Sequence, residues 1–240
     1  MAYNLKEEGE VKEYLDNLGT EYRFGCFSEK NPEVCHLLGD FLEAIKKDFD
    51  KASKVYKSNC DDYNYGKSCL KFGHYSFLAK GKASTKSDPV QALKYYEKGC
   101  DLKVSESCLN SGLLLISKNR PSTMERDVPR SLEYLSKSCD LDNALGCYYL
   151  SGMYISGVKK TEDVTENDYI IPKNMEKAFV LAQKACNLGN MYACANVSQM
   201  YAKGDGTAKD ETLSAKYKNM ALEMQEELKR QQTLQFQQGL

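Results

Sequence analysis

The residues best equipped for chemistry are ten cysteines, and they come in couples: Cys26 with Cys35, Cys60 with Cys69, Cys100 with Cys108, Cys139 with Cys147, and Cys186 with Cys194. The first two couples are nine residues apart and the other three eight, so no cysteine lacks a near neighbour. Thiols can hold zinc, attack as nucleophiles, cross-link, or fill a core. Structural zinc sites draw ligands about two to four residues apart and often add histidine. These gaps are wider, and the chain has only two histidines, His36 and His74. A catalytic thiol needs a base within reach. His36 follows Cys35 directly, but neighbours on a helix point about 100° apart, which favours a surface or capping histidine. Reduced, buried thiols would explain burial and leave the pairing unexplained. Disulfides would explain the pairing, on one condition. Eight residues of continuous helix hold two Cα atoms about 12 Å apart, and a disulfide spans roughly 4.4–6.8 Å, so the chain has to turn between bonded partners.

Other reactive patterns are sparse. Ser68 and Lys71 match S-x-x-K, but the chain contains neither the S-D-N nor the K-T-G that accompanies it in penicillin-recognising enzymes. No convincing strand is read, so no Gly-rich phosphate loop is placed between a strand and a helix. There are 17 tyrosines and no tryptophan. Tyr95, Tyr96, Tyr148, Tyr149, Tyr154 and Tyr201 fall on helical stretches, where most should pack between repeats and the remainder suit a binding face. No catalytic residue, metal ligand or cofactor-binding residue is assigned. The net charge of −1, without clustered basic runs, gives no reason to expect nucleic acid. No apolar stretch approaches the ~20 residues of a membrane span. The opening MAYNLKEEGEVKEYL reads as neither a secretory signal nor an Arg-rich presequence.

The elements that must position the cysteines are legible from a repeat. First cysteines recur at intervals of 34, 40, 39 and 47 residues, the period of a helical array. KVYKSNCDDYNYGKSC, KYYEKGCDLKVSESC, EYLSKSCDLDNALGC and VLAQKACNLGNMYAC each run from a helical stretch through a short loop rich in Asn, Asp and Gly to a second cysteine. That cysteine opens an apolar stretch such as CYYLSGMYISG, with small and aromatic residues at three- and four-residue spacing. Helices are expected at 8–23, 33–46, 49–60, 67–79, 89–101, 106–117, 129–140, 145–156, 174–188, 191–202 and 210–230. Gly81, Gly157 and Gly204 punctuate helix ends, and Pro89, Pro129 and Pro172 stand before helices. GVKKTEDVTENDYII, at 157–171, reads as a mobile surface excursion. The expected fold is all-α: a right-handed α/α solenoid of about five helix pairs over residues 1–230, followed by a disordered tail at 231–240. A disulfide at each turn would staple one unit to the next, worth about 2–3 kcal/mol for a loop of this size.

The segment KAFVLAQKACNLGNMYACANVSQMYAKGDG resembles the cysteine-bearing Sel-one-like repeats, relatives of the tetratricopeptide repeat. EVKEYLDN and NPEVCHLLGDFLEAIKKDFDKASKVYKSNC, with the nine-residue cysteine gaps, are similar to the mitochondrial cytochrome c oxidase assembly factor seven family. The similarity runs from about residue 8 to 225. It implies a non-enzymatic protein of the intermembrane space, imported without a cleaved presequence, trapped by the oxidative import relay, and serving respiratory complex IV assembly by binding proteins. All ten cysteines match family cysteine pairs. The alternative is a thiol-disulfide or haem-handling factor for copper-site maturation. His36 and His74 lie in the first third, so a haem link does not carry over through the later repeats.

Overall fold

A computed structural model of the chain describes residues 4, 6–81, 86–160 and 168–237, the side chains of 234–237 excepted. Eleven helices lie among the described residues: α1 (Glu8–Phe27), α2 (Pro32–Ala44), α3 (Phe49–Tyr63), α4 (Gly66–Leu78), α5 (Pro89–Asp101), α6 (Ser105–Ile116), α7 (Val128–Asp140), α8 (Ala144–Ser156), α9 (Met175–Asn187), α10 (Met191–Lys203) and α11 (Glu211–Gln237). They are the helix pairs the repeat predicts. Helix α11 continues to Gln237, into the stretch read as a tail, and residues 238–240 lie outside the described residues.

Local chemistry sets the helix starts. Asn31, Asp48, Asp88, Asp127, Asn143, Asn174 and Asn190 each accept a hydrogen bond from a backbone N–H in the first turn that follows. Each satisfies a donor that a helix start leaves free. Pro89 is the first residue of α5 and Pro129 the second of α7, where a missing N–H costs nothing. At the other ends, Gly157 and Gly204 follow α8 and α10 as expected, with φ of +69° and +78°. Gly81 does not cap α4. The left-handed residue there is Ala79, at φ +52°, and Gly81 lies two residues beyond it.

The chain packs as two compact units, Met1–Ser107 and Cys108–Leu240. In the first, α2 packs on α1 and α3, and α4 on α3 and α5. Its core gathers Ala52, Tyr56, Phe72, Tyr75 and Tyr95 around Cys60 and Cys69. The core of the second holds Val128, Leu135, Leu150, Ala178, Ala182, Val197 and Met200 with Cys139, Cys147, Cys186 and Cys194. Against it lie Tyr217, Met220, Ala221 and Met224 of α11.

One expectation needs correcting. The stretch after α8, read as free of strands, contains a two-stranded antiparallel pairing of β1 (Val158–Lys159) with β2 (Tyr169–Ile171). Aromatic and β-branched residues suit a strand, and Ile171 is buried in the second core. The run is too short for its period to reveal it. Residues 161–167 of the excursion lie outside the described residues.

Candidate functional site

The cysteine turns follow from one local design. In the eight-residue gaps the helix stops one residue after the first cysteine, at Asp101, Asp140 or Asn187. A leucine follows, then a residue with positive φ: Lys103 (+65°), Asp142 (+58°) or Gly189 (+92°). Its N–H donates to the carbonyl of the first cysteine, at 2.9, 3.0 and 2.9 Å respectively. The next N–H reaches back one residue further, to Gly99, Ser138 or Ala185. This reversal closes the orphan carbonyls of the helix end, and in the second unit it brings α8 back against α7 and α10 back against α9. Cα atoms are then 4.5 Å apart for Cys139–Cys147 and 4.6 Å for Cys186–Cys194, each closed as a disulfide.

The nine-residue gaps use other turns to the same end. Lys30 takes the positive φ before α2 and Asn64 before α4. Cys26–Cys35 and Cys60–Cys69 are bonded at Cα separations of 4.5 and 4.8 Å. Cys100 belongs to the first unit and Cys108 to the second, and neither is a free thiol. All ten cysteines are buried, none more than 5% exposed.

A second regularity positions successive pairs. The residue four after each second cysteine is small, and in three junctions it meets the residue four before the next first cysteine. A Cβ at Gly39 would overlap the Tyr56 ring, one at Gly73 the Tyr96 ring, and one at Gly112 the Leu135 side chain. At the corresponding place Ser151 replaces glycine and Ala182 replaces the bulky residue, with Ser151 Oγ donating to the Ala178 carbonyl at 2.8 Å. Bulk is exchanged across the contact, as a close-packed interior requires. The second unit adds a tie: Lys184 Nζ donates to the Cys139 carbonyl at 2.7 Å and pairs with Asp142 at 3.0 Å.

The residues singled out for catalysis meet in the first unit. Asn59 Nδ2 donates to the Pro32 carbonyl and to Ser68 Oγ, both at 2.8 Å. Ser68 Oγ lies 2.9 Å from His36 Nδ1, and His36 Nε2 lies 3.7 Å from Asp40. Ser68 Oγ accepts from Asn59, and one proton is shared between Oγ and His36 Nδ1; in the tautomer where Nδ1 accepts it, the ring proton sits on Nε2, facing Asp40. Tyr56 donates to Asp40 at 2.6 Å and to Glu43 at 3.2 Å. Lys71 bridges Asp40 and Glu43, at 3.2 and 3.1 Å, and Lys80 reaches Glu43 at 2.9 Å.

The charges follow from these contacts. Burial lowers the His36 pKa, assisted by Lys71 and Lys67 and opposed by Asp40. Burial also lowers that of His74, whose ring packs on Tyr96. For Glu43, burial works upward, but hydrogen bonds from Lys80 and Lys71 win and hold its carboxyl below the usual range. Burial, then the Asp40 hydrogen bond, push the Tyr56 phenol far up.

Ser68, His36 and Asp40 form a serine–histidine–carboxylate sequence of contacts, yet Ser68 is fully buried. Its Oγ is spoken for by Asn59 and His36, and Lys71 is drawn to Asp40 and Glu43. The geometry therefore ties α2, α3 and α4 together. Among the tyrosines, Tyr56, Tyr75, Tyr95 and Tyr96 are core residues, whereas Tyr149 and Tyr192 are exposed. Asp40 and Glu43 were not among the sequence candidates. Their signal, carboxylates three apart on α2, has meaning only once Lys71 of α4 and Lys80, just past its end, face them.

Fold and junctions together define a helical repeat protein of the Sel1 class. The Sel1 repeat matches residues 63–104, 108–143, 166–190 and 192–224. The Sel1 repeat protein from Oxalobacter formigenes superposes with a TM-score of 0.66 at 18% identity, covering 90% of each chain. A protective antigen of uropathogenic Escherichia coli with an SLR fold gives 0.66 at 17% identity, over 85% of this chain and 40% of the other. A Drosophila melanogaster protein, cytochrome c oxidase assembly factor 7 homolog, is 58% identical across 100% of this chain and 98% of its own length. Cytochrome c oxidase assembly factor 7A of Xenopus laevis is 37% identical over 92% of this chain and 91% of that one. The chain belongs to the cytochrome c oxidase assembly factor 7 family of Sel1 repeat proteins.

Proposed function

We propose that this protein promotes assembly of mitochondrial cytochrome c oxidase by holding protein partners in the intermembrane space, without covalent chemistry of its own. The observation that carries the reading is the full-length, 58% identical relative that bears the assembly-factor name. The absence of chemistry is supported by the burial of Ser68 and by the use of the cysteine sulfurs in bonds to one another. We take the ten cysteines to be oxidised in the cell as five sequential pairs, Cys100–Cys108 among them. Such bonds persist in oxidising compartments and are rare in the cytosol, which favours the intermembrane space. Burial of all ten cysteines also favours staples over a redox catalyst, which needs an accessible sulfur of lowered pKa.

The test is location and loss together. The protein is expected to be protease-protected in intact mitochondria, digested when only the outer membrane is ruptured, and released by carbonate. Its removal is expected to lower cytochrome c oxidase before other respiratory complexes. A reduced cytosolic pool with normal complexes on removal overturns the proposal.

A further inference from the structure

The first unit carries a groove of about 650 Å³ between α1 and α3, floored by Leu38 and Leu42 of α2 and Val55 of α3. Why it is open follows from the repeat. The space between the next such pair, α3 and α5, is closed by Tyr95, a buried residue five before Cys100. Its hydroxyl donates to Asp61, the residue after Cys60, at 3.0 Å. Lys57 and Lys98 complete that closure, at 2.6 and 3.7 Å from Asp61. In the first groove the counterpart of Tyr95 is Val55, which has neither ring nor phenol. The counterpart of Asp61 is Phe27.

That substitution of type is pointed. The residue after the first cysteine is Asp61, Asp101, Asp140 or Asn187 in four units and Phe27 in the first. Phe27 is 64% exposed at the groove edge. An aromatic side chain held in water at a position where the fold elsewhere uses a carboxylate or amide gains nothing for this chain's own core. It is suited to a partner.

The rim gives the partner's charge. Arg23, Lys46, Lys51 and Lys54 line it against one carboxylate, Asp48. Lys46 is paired with Asp16 and Lys51 with Asp48. Arg23 donates to the neutral hydroxyl of Thr20, and neither Arg23 nor Lys54 makes an ion pair among the described residues. In a chain of net charge −1, this edge is locally cationic over an apolar floor. A groove between two helices with such a floor accepts an amphipathic helix.

We infer that the α1–α3 groove is the docking site for an amphipathic helix of a partner protein, one whose apolar face seats against Phe27, Leu42 and Val55 and whose flanks carry Asp or Glu toward Arg23 and Lys54. The inference rests on the protein-binding role proposed above and assigns it a place.

The test uses the full oxidised chain and two fluorescent model peptides, leucine-faced helices of identical pattern, one with glutamate and one with lysine flanks. The glutamate peptide is expected to bind about tenfold or more tightly than its lysine twin at low salt, and to weaken as salt rises. Phe27→Asp, which installs the residue type of the other units at an exposed site, is expected to remove the binding without lowering the melting temperature. Lys54→Glu is expected to narrow or reverse the preference. Equal binding of both peptides, no binding, or indifference to Phe27→Asp overturns the inference. So does self-association by sedimentation that Phe27→Asp abolishes, because the occupant is then a second copy. Complementation separates the two levels. If removal of the protein lowers cytochrome c oxidase and the Phe27→Asp, Lys54→Glu variant restores it fully, the groove assignment fails and the assembly role stands. If removal leaves the oxidase normal, the assembly role fails whatever the peptides do.

Discussion

Gly39 of α2 lies so close to the ring of Tyr56 on α3 that a methyl group at position 39 would overlap it. Tyr56 is fully buried, and its hydroxyl is fixed to Asp40, next to that glycine. The ring is thus held at its face by one residue of α2 and at its tip by the next. Neither can move without the other. Overpacking such a site costs about 1–3 kcal/mol, so Gly39→Ala is expected to lower the urea midpoint by a corresponding amount. Gly152 of α8 has nothing within 4 Å of its missing side chain. There alanine relieves only the backbone entropy of a helical glycine, and Gly152→Ala is expected to stabilise by about 0.5–1 kcal/mol. Two Gly→Ala changes of opposite sign in equilibrium unfolding are the check; the same sign in both would refute the packing account.

The junction turns predict a second pair of opposite effects. Lys103 and Gly189 hold the same place in their turns, both at positive φ. A residue with a Cβ strained there costs on the order of 1 kcal/mol. Lys103→Gly is expected to raise stability by up to about that amount, and Gly189→Ala to lower it similarly, since a Cβ at 189 meets no neighbour within 4 Å and the penalty is conformational alone. Melting temperatures of the two variants, moving apart from the parent, test this.

Much of this architecture is legible in the residues, and the legible part is local. An Asn or Asp three residues before the N–H it caps, a proline in the first turn and a C-D-L or C-N-L run before a second cysteine are all visible in one stretch of chain. The exchange of bulk between Gly39 and Tyr56, or Ser151 and Ala182, is written in the sequence too, four residues either side of the cysteines. It becomes readable only when the cysteines are taken as the frame. What escapes is set by rotation of one helix about another. Nothing in Asp40, Glu43, Lys71 and Lys80 says that they share one cluster, since they come from α2, from α4 and from the turn just after it, and meet only over Tyr56. The β1–β2 pairing escapes for a different reason: two and three residues are too few to show a period. Ala79 in the left-handed conformation, with Gly81 close by, shows that punctuation by glycine is a preference and not a rule.

The titrating groups of the first unit give a pH dependence with a definite sign. Burial, the leading cause, lowers the pKa of both His36 and His74 below the unfolded value of about 6.5. Between the folded and unfolded values the unfolded chain binds more protons, so stability rises with pH there and is fully present above about 6.5. It is lost as pH falls below that point. Glu43, held low by Lys80 and Lys71 against the upward pull of burial, adds a loss in the same direction at lower pH, beginning near its unfolded value of about 4.5. The urea midpoint is therefore expected to fall from pH 7.5 to pH 5, and His36→Asn with His74→Asn is expected to flatten the upper part of that fall. An unchanged slope in the double variant would assign the dependence elsewhere.

The staple at Cys139–Cys147 gives the last prediction. Helix α7 packs on α8 and α8 on α9, while Lys184 of α9 is bonded to the Cys139 carbonyl. The disulfide thus fixes the turn that positions both the preceding helix and the following one. In a repeat array each unit is stabilised chiefly by its neighbours, and removing a cross-link over a loop of this size costs about 2–3 kcal/mol. Cys139→Ser with Cys147→Ser is expected to speed amide exchange in α7, α8 and α9 together. Cys26→Ser with Cys35→Ser removes a staple at an end: α1 packs on α2, so the exchange increase should stay in α1 and the start of α2. Hydrogen exchange on the intact chain separates the two patterns. Loss confined to one helix at the inner junction, or equal spread at both junctions, would mean that the disulfides do not act as nearest-neighbour ties. The repeats would then be held by their apolar contacts alone, with the cysteines serving burial.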